Sequence, residues 1–301
     1  MRELELWKLN LETSTWEAVT NIDLSHIVRA SNGAVAQSDH GGTGYFLGGI
    51  IDNTTDTRFD GLADSYEVLG DSFLQFDPIT GFTNSSTPSL EPVAKGNLVH
   101  IPELGKEGVL IFLAGITGPK GKVVNGGYPD ITARPLSMVH VYDIAKDRWY
   151  KQKTSGSSPA PRISACTVVV AAQDKTSWSI VMYGGASEKP HGDVYGDTWV
   201  LTVPSFQWVK VDDRGEKRFD HSCHLVKKNH MLVIGGRDWW QDWYQNNGWE
   251  ARRVDPRHWS CLKQGIFSSL ELNTFQWTDA LPVYDADYEV HADILALIGG
   301  K

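Results

Sequence analysis

The chain has 301 residues, enough to bury a large core, and it can be a single domain when it is built from repeats. Its 29 glycines and 12 tryptophans, without long stretches at helical spacing, favour an all-β fold of many short strands. A formal net charge of −9 with no run of Lys and Arg argues against a nucleic-acid partner, and the longest apolar runs, such as VLIFLAGI at 109–116, are too short to cross a bilayer.

The first unit, 1–20, reads as a strand, a turn and a second strand carrying Trp16. Met1 is followed by charged residues and this strand pattern rather than by a secretory signal. The second unit, 28–87, has an inner strand at 33–37, then GYFLGGI with Gly48-Gly49, then outer strands in SFLQFDPITGFTN with Phe82 in the aromatic position. The third, 92–153, has KGNLVHIP and VLIFLAGI, where Ala114-Gly115 replaces the double glycine, and ends on MVHVYDIAKDRWYKQ with Trp149. The fourth, 160–212, is the most regular. Strands are expected at Cys166–Ala171, Trp178–Tyr183 ending in Gly184-Gly185, and Thr198–Val203, with a last strand opening at Trp208. The fifth, 217–281, has RFDHSCHLV, HMLVIGG with Gly235-Gly236, and SSLELNTFQWTD with Trp277. A closing segment, 284–301, follows.

Four pairs share one spacing: Leu9 and Trp16, Tyr142 and Trp149, Leu201 and Trp208, Leu270 and Trp277 are each seven residues apart. A double glycine lets one strand end close against its neighbour and adopt backbone angles that a Cβ forbids. A tryptophan at the end of a unit buries a large apolar area between neighbouring sheets. Both features read as scaffold, and the four-stranded units read as blades of a β-propeller, four complete and one half.

These double glycines resemble those of kelch-repeat β-propellers, as do the WKLN…W and VYD…WY runs, PAPR before an inner strand, RFDHSCH, Gln264-Gly265 and the closing YDADYEVHADILALIGG. The likeness is to the fungal kelch proteins related to the central domain of galactose oxidase, and it spans nearly the whole chain. It implies an all-β propeller of usually six blades with a secretion signal. Against that pattern, this sequence is N-terminally incomplete by about one and a half blades. No positions match the Tyr–Cys cross-link and histidine pair of galactose oxidase, so copper oxidase activity is not implied and no cofactor is expected. The lineage suggests a place in the secretory pathway or at the cell surface, where the sequons at Asn53 and Asn84, both in predicted loops, would carry glycans.

In a propeller the loops joining second to third strands share a face with the loops joining one blade to the next. The long ones are 51–72, 117–135, 186–196 and 237–265. The last is the most unusual, with Trp239, Trp240, Trp243, Tyr244, Trp249 and Trp259 interleaved with Arg252, Arg253, Arg257 and His258. Exposed aromatics and arginines suit a flat or anionic ligand, or the hot spot of a protein partner. A self-packed plug is the structural alternative. A second candidate site is the axial channel, with Arg29, Asn32, Lys95, Asn97, Arg162, Ser164, Arg218 and His221 at or beside strand starts.

Parity on a strand places His221 and Cys223 on one face and His224 on the other, and two donors make no metal site. The same parity puts Cys166 and Cys223 at equivalent positions of neighbouring inner strands, as a disulfide or as two buried thiols. Cys261 is the remaining cysteine.

Two functions are compatible with these features. One is a cofactor-free cyclase or pericyclase of fungal secondary metabolism, resembling the kelch-like hetero-Diels–Alderases. It would have Trp239, Trp243, Tyr244, Trp249 and Trp259 as pocket walls, Arg252, Arg257 and His258 as catalytic hydrogen-bond donors, and Arg162 and His221 as further ligand contacts. The other is a non-catalytic module presenting the same face to a protein or glycan partner.

Overall fold

The seven-residue spacing is a hairpin register. Leu9 lies opposite Trp16, Tyr142 opposite Trp149, Leu201 opposite Trp208 and Leu270 opposite Trp277 as direct cross-strand partners. Each turn ends on a residue held near φ 50°, namely Ser14, Asp147, Phe206 and Phe275. A left-handed residue at this place matches the turn to the twist of the flanking strands. Asn10 and Asp143 start two of the turns, and their side-chain oxygens accept from backbone N–H groups inside them. In the second unit the turn is one residue shorter, so Phe82 faces Phe76.

The computed structural model describes residues 5–237 and 267–298, apart from 26, 39–41, 63–64, 71, 86–89, 126–130, 190–191, 281 and 284. Within them the chain is all-β, and the units expected from sequence are separate antiparallel sheets. The N-terminal hairpin pairs Leu6–Asn10 with Thr15–Val19. The second unit orders Ala34–Gln37, Gly44–Leu47, Phe73–Asp77 and Gly81–Ser85 from inside outward. The third orders Asn97–Ile101, Val109–Leu113, Met138–Asp143 and Arg148–Lys153. The fourth is Cys166–Ala171, Trp178–Tyr183, Thr198–Val203 and Gln207–Asp212. The fifth is Phe219–Val226, His230–Arg237, Phe267–Glu271 and Gln276–Thr278. The four inner strands lie beside one another in sequence order, as in successive propeller blades.

The hydrophobic core sits in the seams between sheets. One cluster joins Tyr45, Leu47 and Phe73 of the second unit to Leu98, Leu110 and Phe112 of the third. Another joins Ile101 and Ile111 of the third to Ile180, Met182 and Trp208 of the fourth. A further one joins Val181 and Tyr183 of the fourth to Met231, Val233 and Leu270 of the fifth. The terminal tryptophans close these seams toward the preceding unit. Trp149 meets the ring of Phe73 at 5.4 Å, Trp208 donates to the Leu136 carbonyl at 2.8 Å, and Trp277 meets Tyr183 at 4.7 Å while donating to Asp212 Oδ2 at 2.9 Å. Trp16, in the lone hairpin, is 63% exposed.

Backbone bonds tie the units together near the axis. In the second, third and fourth units the second residue of the pair, a glycine, donates to the next unit: Gly49 to the Val93 carbonyl, Gly115 to Arg162 and Gly185 to Arg218, at 2.8, 2.9 and 2.8 Å. Every residue of the four pairs has positive φ, including Ala114 at 62°. A Cβ on Gly185 would lie 2.8 Å from the Ile163 carbonyl oxygen, so this close approach requires glycine.

Above the blades, short strands after the glycine pairs form a second tier. Ile50–Asp52 pairs with Ser65–Val68, which pairs with Val124–Asn125, and Ile116–Thr117 lies between Val93–Ala94 and Thr132–Ala133. The closing segment differs from the rest of the chain. It contains a short helix, Ala292–Ile298, whose fully buried Ile294 packs with Tyr288 at the seam between the fourth and fifth units. Tyr288 donates its hydroxyl to Ser179 Oγ at 3.0 Å, which pins the segment to the fourth sheet. Among the described residues no helix is long and apolar enough to cross a membrane.

Candidate functional site

Four residues at the entry to the inner strands, three just ahead of the strand and Asp220 at its second position, share one conformation. Asn32, Lys95, Ser164 and Asp220 all have φ between 52° and 56°. The N–H of each of the last three donates to the carbonyl of its predecessor: Lys95 to Asn32 at 2.8 Å, Ser164 to Lys95 at 3.0 Å, and Asp220 to Ser164 at 3.1 Å. This backbone relay runs from unit to unit and fixes where the inter-blade loops stand. It also sets equivalent side chains of successive units at one level.

A cavity of about 360 Å³ opens at that level. Asn32 and Lys95 come from the relay, Ile50, Ile116 and Ile163 supply apolar walls, and Asp52, Asn53, Ser65 and Tyr66 come from the long loop of the second unit. Glu188, from the long loop of the fourth, completes the rim. The loop face expected from strand order is therefore where the cavity lies. Asp52 is organised by its own loop, its Oδ1 accepting from the Thr54 backbone at 2.8 Å and the Thr54 hydroxyl at 2.6 Å.

Lys95 is the distinctive group. Burial lowers its ammonium below the ordinary lysine range, the charge of Asp220 opposes that shift, and Arg237 adds to it. Asp220 is held by an ion pair to Arg237, whose guanidinium also stacks 4.8 Å over the Phe219 ring. The relay thus continues through side chains to Arg237, the last described residue before the aromatic insertion. A cavity with three isoleucines, two amides, one cation and two carboxylates is equipped to hold a polar, extended ligand by an apolar flank and several directional bonds.

Arg162 and His221, expected as ligand contacts, belong to the scaffold. Arg162 is fully buried, pairing with Asp197 through both carboxylate oxygens at 2.6 and 3.2 Å, donating to the Gly184 carbonyl at 3.0 Å and stacking 4.1 Å over Tyr195. Burial pushes the Asp197 carboxyl up, but Arg162 and the Trp199 indole outweigh it and hold the group below the usual carboxylate range. Arg218 has the equivalent place one unit on, donating to the Gly235 carbonyl and pairing with Glu216. His221 is buried in the seam between the fourth and fifth units, edge-on to Tyr183 at 5.2 Å. Asn97 donates to the Ala165 carbonyl at 3.0 Å, also across a seam.

Trp239, Trp243, Tyr244, Trp249, Arg252, Arg257, His258 and Trp259 lie outside the described residues, as does Cys261. Asn53 is exposed on the cavity rim, whereas Asn84 lies in the outer strand Gly81–Ser85 rather than in a loop. Cys166 and Cys223 are joined as a disulfide with Cα atoms 5.5 Å apart. The strand Phe219–Val226 offers two metal donors on one face, His221 and Cys223, and the fold sets a third, Cys166 of the neighbouring inner strand, within 4.8 Å of them. Asp52, Tyr66 and Glu188 were missed as cavity residues. The available signal was their place in the long loops that follow the glycine pairs.

A family model described as the KLHDC2/KLHL20/DRC7 Kelch-repeats domain matches residues 118–281, more than half of the chain. A Kelch repeat-containing protein from Arthroderma benhamiae is 26% identical over 276 residues, which cover 78% of this chain and 39% of the relative. Host cell factor from Drosophila melanogaster is 30% identical over 132 residues, covering 43% of this chain and 8% of its own length. Human Host cell factor 1 is 29% identical over 150 residues, covering 49% and 6%. This chain therefore spans less than two thirds of the length of each of these relatives. The strand order, the glycine pairs at the seams and the family match lead to one conclusion: the chain belongs to the kelch-repeat family.

Proposed function

We propose that this chain is a protein-interaction module that receives a segment of a partner polypeptide in the axial cavity on its loop face. The observation that carries this reading is the cavity at the level of the backbone relay, where Lys95 stands among amide and carboxylate groups over apolar walls. A polypeptide offers the matching set of groups: backbone donors and acceptors, an apolar side chain for the isoleucines and a carboxylate for Lys95. Membership in a family of repeat propellers supports the same reading. The cyclase alternative depends on the 237–264 insertion, whose residues, apart from Arg237, lie outside the described part of the chain.

The test is selection of a random peptide library on the immobilised chain, followed by titration of enriched peptides against wild type and Lys95→Met. Methionine keeps the length of the side chain and removes its charge. The expected result is a family of peptides sharing an acidic position and binding the variant at least about tenfold more weakly, the size of one charge-assisted hydrogen bond. Failure to enrich any peptide, or equal binding by Lys95→Met, would overturn the proposal.

A further inference from the structure

We infer that Cys166, Cys223 and His221 form a redox-gated binding site for a thiophilic divalent cation, Zn²⁺ being the natural occupant, in the seam between the fourth and fifth units. Their two sulfurs and a ring nitrogen lie within 4.8 Å of one another. The donors come from two adjacent inner strands, Cys166–Ala171 and Phe219–Val226, so a bound ion would crosslink two units. This site is separate from the axial cavity and does not depend on it.

Three features favour a metal over a simple pair of thiols. The donor set of two sulfurs and one imidazole is that of zinc sites with one open position. The imidazole is already oriented, because His221 Nε2 lies 3.2 Å from the Tyr183 carbonyl. With Nε2–H donating there, Nδ1 carries the lone pair, and a backbone carbonyl fixing the far nitrogen is the usual outer support of a metal-bound histidine. Nδ1 itself is buried with no hydrogen-bond partner. Finally, the cysteine Cα atoms are 5.5 Å apart, which also suits two thiolates on one tetrahedral ion, whose sulfurs stand roughly 3.8 Å apart for Zn–S bonds of about 2.3 Å.

The gate is the disulfide. A dithiol reduces the disulfide to two thiols by passing on its own two hydrogens and leaves as a disulfide, whereas a phosphine does so together with one water, which supplies the two protons and the oxygen of the phosphine oxide that leaves. The ion then displaces both thiol protons and binds two thiolates and the neutral imidazole. In the oxidised state the sulfurs are bonded to each other and the site is closed. Cys166 is buried and Cys223 is partly exposed, so the reductant's path leads to Cys223 Sγ first.

The experiment uses Co²⁺ as a spectroscopic probe with the whole chain under anaerobic conditions, before and after reduction by a phosphine. The expected result is one equivalent bound only after reduction, with a thiolate-to-cobalt charge-transfer band in the near ultraviolet and tetrahedral bands in the visible. Zn²⁺ should displace it and protect Cys166 and Cys223 of the wild-type chain from alkylation, read by peptide mass spectrometry. Cys261→Ser should bind as wild type does, whereas Cys166→Ser and His221→Gln should each weaken binding at least about tenfold. No cobalt uptake by the reduced chain, with far-ultraviolet circular dichroism unchanged, would overturn the inference. So would uptake lost in Cys261→Ser, uptake unaffected by His221→Gln, or alkylation of both cysteines undiminished by Zn²⁺.

Discussion

The indole N–H of Trp208 donates to the backbone carbonyl of Leu136 at 2.8 Å, across the seam between the third and fourth units. Trp208 is 2% exposed and packs in the cluster that contains Ile101, Ile111, Ile180 and Met182. It therefore serves two sheets with one side chain. Trp208→Ala should cost about 3–5 kcal/mol, from lost apolar burial and the cavity left behind, while the Leu136 carbonyl keeps the Thr154 hydroxyl as a donor at 2.9 Å. Trp16→Ala provides an internal comparison. Trp16 has the same hairpin register opposite Leu9 but is 63% exposed, so its removal should change stability by less than about 1 kcal/mol. Urea unfolding of the two variants beside wild type checks both values, and equal losses would show that the repeat position rather than seam burial sets the energy.

Ala114 sits where the other three units have the first glycine of a pair, and it holds φ at 62°. A non-glycine residue in the left-handed region costs roughly 1–2 kcal/mol, part of which is recovered because alanine restricts the unfolded chain. Ala114→Gly should therefore stabilise the fold by about 0.5–1 kcal/mol. Gly185→Ala should do the reverse and more strongly, since φ is 94° and the new Cβ would meet the Ile163 carbonyl oxygen at 2.8 Å. Thermal unfolding of both variants tests the pair of signs. Destabilisation by Ala114→Gly would mean that the methyl group of this 2%-exposed residue contributes more by packing than its backbone costs.

Most of the scaffold was legible because it depends on local pattern. The glycine pairs, the seven-residue spacing and alternation of period two fix strand ends and hairpin register within one unit, and the strands of the fourth unit fall where the sequence places them. Arg162 illustrates what local pattern leaves out. Its position at a strand start suggested the channel, but Asp197, thirty-five residues on, draws it into a buried pair, and only the fold brings those residues together. The same holds for Cys166 and His221, which are neighbours across a seam rather than along a strand. Lys95 was legible as a channel residue. The cavity walls from Tyr66 and Glu188 were not, because loop residues carry no periodicity to say which way they return.

His140 makes part of the stability depend on pH. It is 4% exposed, with Arg134 Nη2 3.0 Å from its Nδ1, so the ring must accept there and stay neutral. Burial first, then Arg134 and Lys151, lower its pKa to about 4, against an unfolded value of 6.5. Because the folded value is the depressed one, the stabilising contribution is fully present above pH 6.5, where both states are neutral. It is lost as pH falls toward 4, where the unfolded chain takes up a proton that the folded chain refuses. Linkage puts the loss from this group between pH 7 and pH 5 at about 2 kcal/mol. Glutamine in place of His140 removes the titration while keeping an acceptor for Arg134. Wild type should therefore lose about 2 kcal/mol more than His140→Gln when urea unfolding is repeated at the two pH values. Parallel losses in the two proteins would mean that the imidazole is protonated in the folded chain, with Arg134 turned toward Glu91, to which it already reaches at 3.3 Å.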